Sequence, residues 1–213
     1  MKDIPLFTTE YGVASLTLRE IPYRGRAYVK IQTALELEKL LEECIGFCRA
    51  CGAEEIEASG HDFLERFPLI TPMWLMTCNR DSLGQTDACI FPMTEQTVQR
   101  WLELYNQRMA DVPNAAYLDS KDGKEFLENG DCYFVHRNGK LLGIGKAAED
   151  YIDIVIAAEP GMGQTVVQAL GSVLTEDTVR VVVAGENIRA VRLYERMGFI
   201  KTKEISRWYR VHG

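Results

Sequence analysis

Two segments in the C-terminal half of this sequence contain residue types that could do chemistry. In the segment Gly161 to Thr165, two glycines precede a helical pattern, so the backbone and the first amides of the helix could approach an anion. The same glycines would also suit a plain turn between a strand and a helix. The second segment, Asn187 to Phe199, contains the phenol of Tyr194, which can donate a proton. The sequence therefore offers a possible anion-binding turn and a proton donor.

A buried strand and a helix must position the second of these segments. Val179 to Ala184 is a β-branched apolar run that is too short for a helix, which predicts a buried strand. Asn187 is a natural N-cap for the helix that follows, and Val191 and Tyr194 fall on one face of it. Gly198 is the residue type that ends a helix in a left-handed conformation. The pattern predicts a strand, a helix and a further strand.

The spacing within this segment resembles that of the GNAT superfamily of N-acetyltransferases, whose pattern runs Asn, Ala three residues on, then Leu-Tyr-Glu and Gly-Phe. The matching residues are Asn187, Ala190, Leu193, Tyr194, Glu195, Gly198 and Phe199. The resemblance implies an α/β (α+β) fold with a mixed central sheet flanked by helices. It also implies acetyl transfer from acetyl-CoA to a primary amine, with no metal.

The elements predicted for residues 87–213 follow the order of a GNAT domain. A strand and two helices precede three antiparallel strands, and a helix, a strand, a helix and a final strand follow. Asn138 and Gly139 predict a two-residue hairpin between the first two strands of the antiparallel set. The predicted ranges are Ala88–Met93, the helix after Thr94, Lys121–Glu128, Cys132–His136, Leu141–Ala147, Tyr151–Ala158, Thr165–Leu174 and Val179–Ala184.

In the family that this chain resembles, acetyl-CoA occupies a gap between two strands that part, here Tyr151–Ala158 and Val179–Ala184. The resemblance implies that the amide-bearing arm of the cofactor pairs with backbone groups of Ile156 and Ala158, as an added strand would. It also implies that a backbone N–H of Val155 or Ile156 polarises the thioester oxygen.

The pyrophosphate of the cofactor would lie on the glycine turn at the start of the predicted helix. The family usually has a longer loop, with Arg or Gln three residues before its first glycine, where this chain has Ala158. Pro160 then runs directly into the first glycine. The residues implied for phosphate binding are Gly161, Met162, Gly163, Gln164 and Thr165.

Two side chains take roles from the resemblance, and each has a purely structural alternative. Asn187 would hydrogen-bond the cofactor arm, or it could only cap its helix. Tyr194 would protonate the departing thiolate, or it could only pack against the sheet. The amine must also lose a proton, and the candidate carboxylates are Glu149, Asp150 and Asp153. Asp153 lies within a predicted strand, whereas the other two precede it.

Residues 1–86 are predicted to form a smaller α/β unit that resembles a degenerate half of a GNAT domain. Strand, helix, strand, short helix and strand follow one another there, as in the carboxyl half of the fold. The polar stretch Asn79–Asp87 predicts a linker, so we place the domain boundary between residues 86 and 87. The predicted ranges are Leu16–Ile21, Tyr28–Ile31, Leu37–Cys51, Glu54–Ser59, His61–Phe67 and Trp74–Cys78, with a turn at Pro22–Gly25.

Two features of this first unit could indicate a metal or a catalytic group. Cys44, Cys48 and Cys51 have the spacing of radical enzymes that hold an iron–sulfur cluster, but they fall on the apolar face of a strongly periodic helix. Buried thiols are the alternative. His61 follows a glycine and suits a turn or a cap as well as a catalytic role.

The bulk composition limits the kinds of function that this chain is expected to have. The net charge of −7 and the pI near 5.1 argue against nucleic acid as the main partner, because phosphate binding needs a basic face. No signal segment or bilayer-spanning run is visible, which predicts a cytoplasmic protein without a membrane partner and with free thiols. The oligomeric state stays open. The alternative to an enzyme is a degenerate GNAT-fold module that binds or senses a ligand.

Overall fold

The computed structural model describes residues 2–213 and forms two compact units. The first unit contains the residues up to Met73 together with Ile205–Gly213, and the second contains Trp74–Glu204. Strands β5 (Leu69–Asn79) and β11 (Ile200–His212) each begin in one unit and end in the other. The division therefore does not follow a single cut in the sequence.

The first unit is a sheet with one long helix on it. Its strand order is β1-β2-β3-β4-β11, in which β3 and β4 run parallel and the other neighbours run antiparallel. The helix buries Leu40, Leu41, Cys44 and Cys48 against the apolar side of the sheet, because these residues recur at helical spacing. The elements are β1 (Ile4–Thr9), β2 (Gly12–Thr17), α1 (Ile21–Arg24), β3 (Arg26–Ala34), α2 (Leu37–Ala50) and β4 (Glu55–Ser59).

The second unit is a larger mixed sheet with helices on both faces. Its strand order is β11-β5-β10-β9-β8-β7-β6, with β6 to β9 antiparallel and β9 parallel to β10. The elements are β6 (Cys89–Pro92), α3 (Val98–Met109), α4 (Ser120–Asn129), β7 (Cys132–Arg137), β8 (Lys140–Ala148), β9 (Tyr151–Ala157), α5 (Gly163–Gly171), β10 (Thr178–Ala184) and α6 (Ile188–Arg196). This is the order predicted from the sequence.

Strand β8 separates two apolar layers in the second unit. A Cβ atom added at Gly143 would lie 2.5 Å from Val166 Cγ2, so the absence of a side chain lets α5 approach the sheet closely. Ile144 points to the opposite face, because side chains alternate along a strand, and there it packs with Trp101 of α3. The indole N–H of Trp101 donates to the carbonyl of Tyr133 at 3.2 Å. Both faces of the sheet are therefore covered.

Several local predictions differ from the structure. The predicted turn at Pro22–Gly25 is instead the short helix α1, which ends at Gly25 with a φ of 65°. Strand β2 lies earlier than the predicted Leu16–Ile21, and it pairs with β1, a largely exposed strand without an apolar pattern. The hairpin prediction is confirmed, since Asn138 and Gly139 have φ values of 52° and 76°.

The predicted linker Asn79–Asp87 is an ordered part of the second unit, so the predicted boundary after residue 86 is wrong. Leu83 in its middle is only 3% exposed and belongs to the apolar core. The carbonyl of Leu83 accepts a hydrogen bond from Gln168 of α5 at 3.0 Å. A polar composition suggested a linker here, but a single buried leucine and its hydrogen bonds hold the segment in place.

The two ambiguous features of the first unit have structural roles. Cys44 and Cys48 are fully buried in α2, and burial raises the pKa of each thiol to about 12. They pack as small apolar side chains. His61 caps a short 3₁₀ helix, because its Nδ1 accepts from the backbone N–H of Phe63 at 3.1 Å. Among the described residues, no group of three or more His, Cys, Asp or Glu side chains could hold a metal ion.

Candidate functional site

Strands β9 and β10 are paired at one end only. Their register contains a single pair, Arg180 with Tyr151, and the N–H of Arg180 donates to the carbonyl of Asp150 at 2.7 Å. The corresponding parallel strands of the first unit, β3 and β4, are paired at five consecutive positions. Beyond Tyr151 the strands β9 and β10 part, so a gap opens toward their C-terminal ends, where the sequence predicted one.

Backbone direction along β9 decides which groups face this gap. The N–H of Ala158 donates to the carbonyl of Leu142 at 2.8 Å, so Ala158 faces β8. Because direction alternates along a strand, Ile156 also faces β8, where its register partner is Ile144. The intervening residues Val155 and Ala157 turn their N–H and C=O groups toward the gap.

Two of the predicted cofactor contacts are therefore corrected. Both backbone groups of Ala158 are used within the chain, because its carbonyl accepts from the guanidinium of Arg108. Ile156 faces the neighbouring strand. The sequence prediction counted residues back from Pro160 and chose the alternate set of β9 residues that faces β8. The register of β9 with β8 shows which set faces the gap. Of the two residues predicted to polarise the thioester, Val155 has the suitable direction.

A register shift lies near the closed end of β9. Lys146 pairs with Ile154, but the next residue of β8 pairs with Ile152, so Asp153 is the extra residue of a bulge. The bulge turns Asp153 toward Lys146.

The glycine turn leads directly into helix α5. Gly161 has a φ of 89°, a conformation that favours glycine, and no atom lies within 4 Å of the position of an added Cβ. The first backbone hydrogen bond of the helix runs from Val166 to the carbonyl of Met162 at 3.0 Å. The amides of Gly163, Gln164 and Thr165 precede it and have no helical acceptor. The turn therefore presents amide donors at its exposed end.

Asn187 caps helix α6. Its Oδ1 accepts a hydrogen bond from the N–H of Ala190 at 3.2 Å. The capping alternative is thus realised in the structure, but the cap uses only the oxygen of the carboxamide. The Nδ2 group is a separate donor.

Tyr194 is packed inside the second unit. It is 7% exposed, and its ring centroid lies 5.3 Å from that of Phe199. Burial raises the pKa of Tyr194 above its ordinary value, and Tyr151 adds to this shift. Burial, followed by the charge of Asp153, raises the pKa of Tyr151 itself to about 12. Both phenols therefore keep their protons at neutral pH.

The three candidate carboxylates lie in different surroundings. Glu149 is exposed in the β8–β9 turn with a φ of 55°, and its carbonyl accepts from the N–H of Thr175 at 2.9 Å. Asp150 forms an ion pair with Arg180 at 2.9 Å. Both residues precede the position where β9 and β10 are paired, so they lie away from the open end of the gap. Asp153 is the one candidate within β9.

Lys146 is the ion-pair partner of Asp153, and the sequence did not indicate it. Its Nζ lies 2.8 Å from Asp153 Oδ2 and 3.4 Å from Asp131 Oδ2, and it lies over the ring of Phe126 at 5.6 Å. Burial alone would lower the pKa of Lys146, but Asp153 and Asp131 outweigh burial and raise it. The strand pattern around residue 146 could have predicted that this lysine lies in the strand next to β9. It could not have predicted that its side chain contacts two carboxylates.

The sequence comparisons give no relative, since no family model and no curated protein matches the chain. Solved structures do match over almost its whole length. A conserved protein of unknown function from Staphylococcus epidermidis has a TM-score of 0.61 at 14% identity, with 96% of this chain and 91% of that one covered.

Two named acetyltransferases are also similar in structure. A GCN5-related N-acetyltransferase from Kribbella flavida has a TM-score of 0.55 at 11% identity, covering 95% of this chain and 58% of that one. An acetyltransferase of the GNAT family from Colwellia psychrerythraea has a TM-score of 0.50 at 14% identity, covering 96% and 84%. At these identities the likeness shows the fold alone. The chain shares the mixed α/β fold of these acetyltransferases, which confirms the predicted fold.

No helix within residues 2–213 combines the length and the apolar character needed to cross a bilayer.

The Lys146 cluster yields a prediction about stability. Lys146→Gln leaves Asp131 and Asp153 without a counterion, and Asp131 is only 15% exposed in its side chain. We expect a loss of about 1–3 kcal/mol in the free energy of unfolding at neutral pH. Because the cluster raises the pKa of Lys146, the stabilisation by its ammonium group is fully present at neutral pH and is lost as the pH rises through that raised pKa, so the difference between variant and parent should shrink at alkaline pH. Denaturant unfolding at a series of pH values measures this.

The matched control is Lys140→Gln. Lys140 contacts Glu159 at the same 2.8 Å, but these side chains are 61% and 52% exposed. An exposed pair contributes less than about 1 kcal/mol, so this variant should differ little from the parent at any pH. Equal losses in the two variants would contradict a special role for the buried cluster.

Proposed function

We propose that this chain is a cytoplasmic N-acetyltransferase that moves an acetyl group from acetyl-CoA to a primary amine by direct attack in a ternary complex. The observation that carries the proposal is the gap between β9 and β10, which opens beside the amide donors at the start of α5. A slot between two strands suits an extended, amide-bearing arm, and a helix N-terminus suits phosphate. The two features lie in the second unit.

Within the gap, the cofactor arm would pair with the backbone of β9. Val155 and Ala157 are its partners in this proposal, because their N–H and C=O groups face the gap. The N–H of Val155 would also donate to the thioester oxygen as negative charge develops there. The pyrophosphate would lie on the amides of Gly163, Gln164 and Thr165, with Gly161 and Met162 shaping the turn. The Nδ2 group of Asn187 would donate to the arm.

The amine nitrogen would attack the thioester carbon once its proton has left. Asp153 would accept that proton, directly or through a water molecule, since it is the one candidate carboxylate within β9. Lys146 would hold the Asp153 carboxylate in place. As the tetrahedral intermediate collapses, the carbon–sulfur bond breaks and the leaving sulfur takes a proton from Tyr194. The nitrogen releases its extra proton to become the amide, and that proton returns through water to the Tyr194 phenolate. The net charge of −7 favours a cationic acceptor such as a polyamine, an aminoglycoside-like amine or a lysine side chain.

The first unit would be a degenerate half of the same fold. Its β3–α2–β4 order repeats the β9–α5–β10 order of the second unit, which supports a common plan. Because β3 and β4 are paired at five positions, this half offers no slot of its own.

A binding or regulatory module is the second candidate function, and specific observations favour it. The glycine turn is short, and both backbone groups of Ala158 are already used within the chain. The raised pKa of Tyr194 also makes this phenol a weaker acid toward a thiolate. A protein that senses acetyl-CoA without transferring the acetyl group would keep the gap and lack turnover.

Binding and turnover separate these candidates. Acetyl-CoA at about a hundredfold its dissociation constant should raise the free energy of unfolding by about 2.7 kcal/mol. A panel of polyamines, aminoglycosides and lysine peptides should then yield an acetylated product by mass spectrometry. Binding without product from any amine supports the regulatory module, and absence of binding contradicts both candidates.

A backbone variant tests the proposed contact between the N–H of Val155 and the thioester oxygen. Val155→Pro removes one N–H that faces the gap, and a proline is tolerated where a strand has no neighbour on that side. Ile154→Pro removes an N–H that faces β8 and should destabilise the unit. We expect Val155→Pro to unfold close to the parent temperature and to lose about 10²-fold or more in turnover. Unchanged turnover in this variant would contradict the proposed oxyanion contact.

Asn187 can be tested with its cap preserved. Asn187→Asp keeps an oxygen for the N–H of Ala190 and removes the Nδ2 donor, whereas Asn187→Ser keeps a cap of similar strength with a shorter side chain. Both variants should retain the thermal stability of the parent and bind acetyl-CoA about tenfold more weakly or worse, as measured by calorimetry. Unaltered affinity in Asn187→Asp would show that Asn187 only caps the helix.

Tyr194→Phe tests proton donation. The phenylalanine fills the same apolar site against Phe199, so affinity for acetyl-CoA should change little. Turnover should fall by about 10²-fold or more, the usual contribution of general acid catalysis. Single-turnover kinetics distinguishes this result from a loss of binding. A variant with lower affinity and normal turnover would exclude Tyr194 as the acid.

A further inference from the structure

A cavity of about 490 Å³ lies in the second unit between helix α5 and the segment that follows strand β5. Seven residues between Arg80 and Ala88 line one side of it, and Gln168, Ala169, Gly171 and Ser172 line the other. The proposed active site lies at the opposite end of α5, a helix of nine residues and therefore about 13 Å long. The cavity is thus separate from the gap, and its volume falls in the range of small-molecule sites.

Close contacts join the two sides of the cavity, which are helix α5 and the segment after β5. Gln168 Nε2 donates to the carbonyl of Leu83 at 3.0 Å. Gly84 has a φ of 71°, and a Cβ added to it would lie 3.3 Å from that same Nε2 atom. A Cβ added at Gly171 would lie 2.7 Å from Leu83 Cδ1. The segment and the helix therefore meet at two glycines, which fixes the shape of the cavity beside them.

The charged end of the cavity is also fixed. The guanidinium of Arg80 donates to the carbonyl of Leu174 at 2.6 Å and lies 3.7 Å from the carboxylate of Asp177. The backbone N–H of Arg80 donates to the carbonyl of Asp177 at 2.7 Å. At the other end of the segment, Thr86 accepts from Arg137 at 3.2 Å. The site is preformed, so a ligand would not have to order this loop.

The lining contains one cation and one carboxylate, and the cation also lies 3.7 Å from the carboxylate of Asp177, which is 92% exposed. Arg80 and Asp81 both contribute to it, together with the uncharged polar groups of Gln85, Thr86 and Ser172. An isolated anion would meet the repulsion of Asp81, and an isolated cation would meet that of Arg80. A ligand that carries both charges a short distance apart would satisfy both, because a guanidinium binds a carboxylate well and a carboxylate binds an ammonium group.

We propose that this cavity binds a small zwitterion with neighbouring carboxylate and ammonium groups, the chemistry of a free α-amino acid. The ligand carboxylate would face Arg80, and its ammonium group would face Asp81. Gln85, Thr86 and Ser172 would then surround the side chain, which favours a polar amino acid. This site does not depend on the proposed acetyl transfer.

Calorimetric titration of the full chain with each free amino acid tests the proposal. At least one polar amino acid should bind saturably, and its N-acetyl and carboxamide derivatives, which each lack one charge, should bind about tenfold more weakly or worse. The absence of saturable binding by every amino acid overturns the proposal. Equal binding of the zwitterion and of both derivatives also overturns it, since the charge pair would then have no role.

Two variants place the binding in this cavity. Asp81→Asn removes the exposed carboxylate and leaves its backbone contacts, and Ser172→Phe fills the cavity from an exposed position. Each should weaken the amino acid about tenfold or more, with thermal unfolding used to verify the fold. Asp111→Asn, an exposed carboxylate outside the lining, is the matched control and should have no effect. Unchanged affinity in Asp81→Asn and Ser172→Phe would overturn the assignment.

Discussion

The end of the parallel pairing between β9 and β10 is the constraint on which the proposed site depends. Beyond Tyr151, one edge of β9 has no neighbouring strand, and unpaired backbone groups are costly where water is excluded. The strand stays extended because β8 pairs with its other edge and Arg180 anchors its start. A ligand or water would supply the missing hydrogen bonds, and this is the basis for the proposed pairing with an extended cofactor arm.

The first unit shows that the order of elements does not create such a site. Strand, helix and strand follow one another there as they do around α5, yet β3 and β4 remain paired from Arg26 with Glu55 to Lys30 with Ser59. Similar apolar strands can pair fully or part. Both β9 and β3 have a register shift against their antiparallel neighbour, at Asp153 and at Gln32, so a bulge alone does not account for the difference. The order of the elements alone therefore does not decide where a slot can form.

The sequence predicted the larger organisation well, because it rests on local patterns. The capping of α6 by Asn187, the hairpin at Asn138 and the order of elements along residues 87–213 all follow from residue type and period. The sequence could not show which residues of β9 turn their backbone groups toward the gap. Ala158 was therefore assigned to the gap, although its N–H donates to the carbonyl of Leu142. Nor could the sequence show that Lys146 joins two carboxylates, since that contact depends on pairing between strands.

Asn187 and Tyr194 each have a structural role as well as a proposed chemical one. If capping were the only requirement at Asn187, Ser or Asp would serve as well, because helix N-caps accept all three residues with similar stability. What a carboxamide adds is a donor on the same planar group, held in direction by the bond of its oxygen to Ala190. The cap therefore does not compete with ligand binding. It orients the donor, so a structural role for the oxygen strengthens the chemical role proposed for the nitrogen.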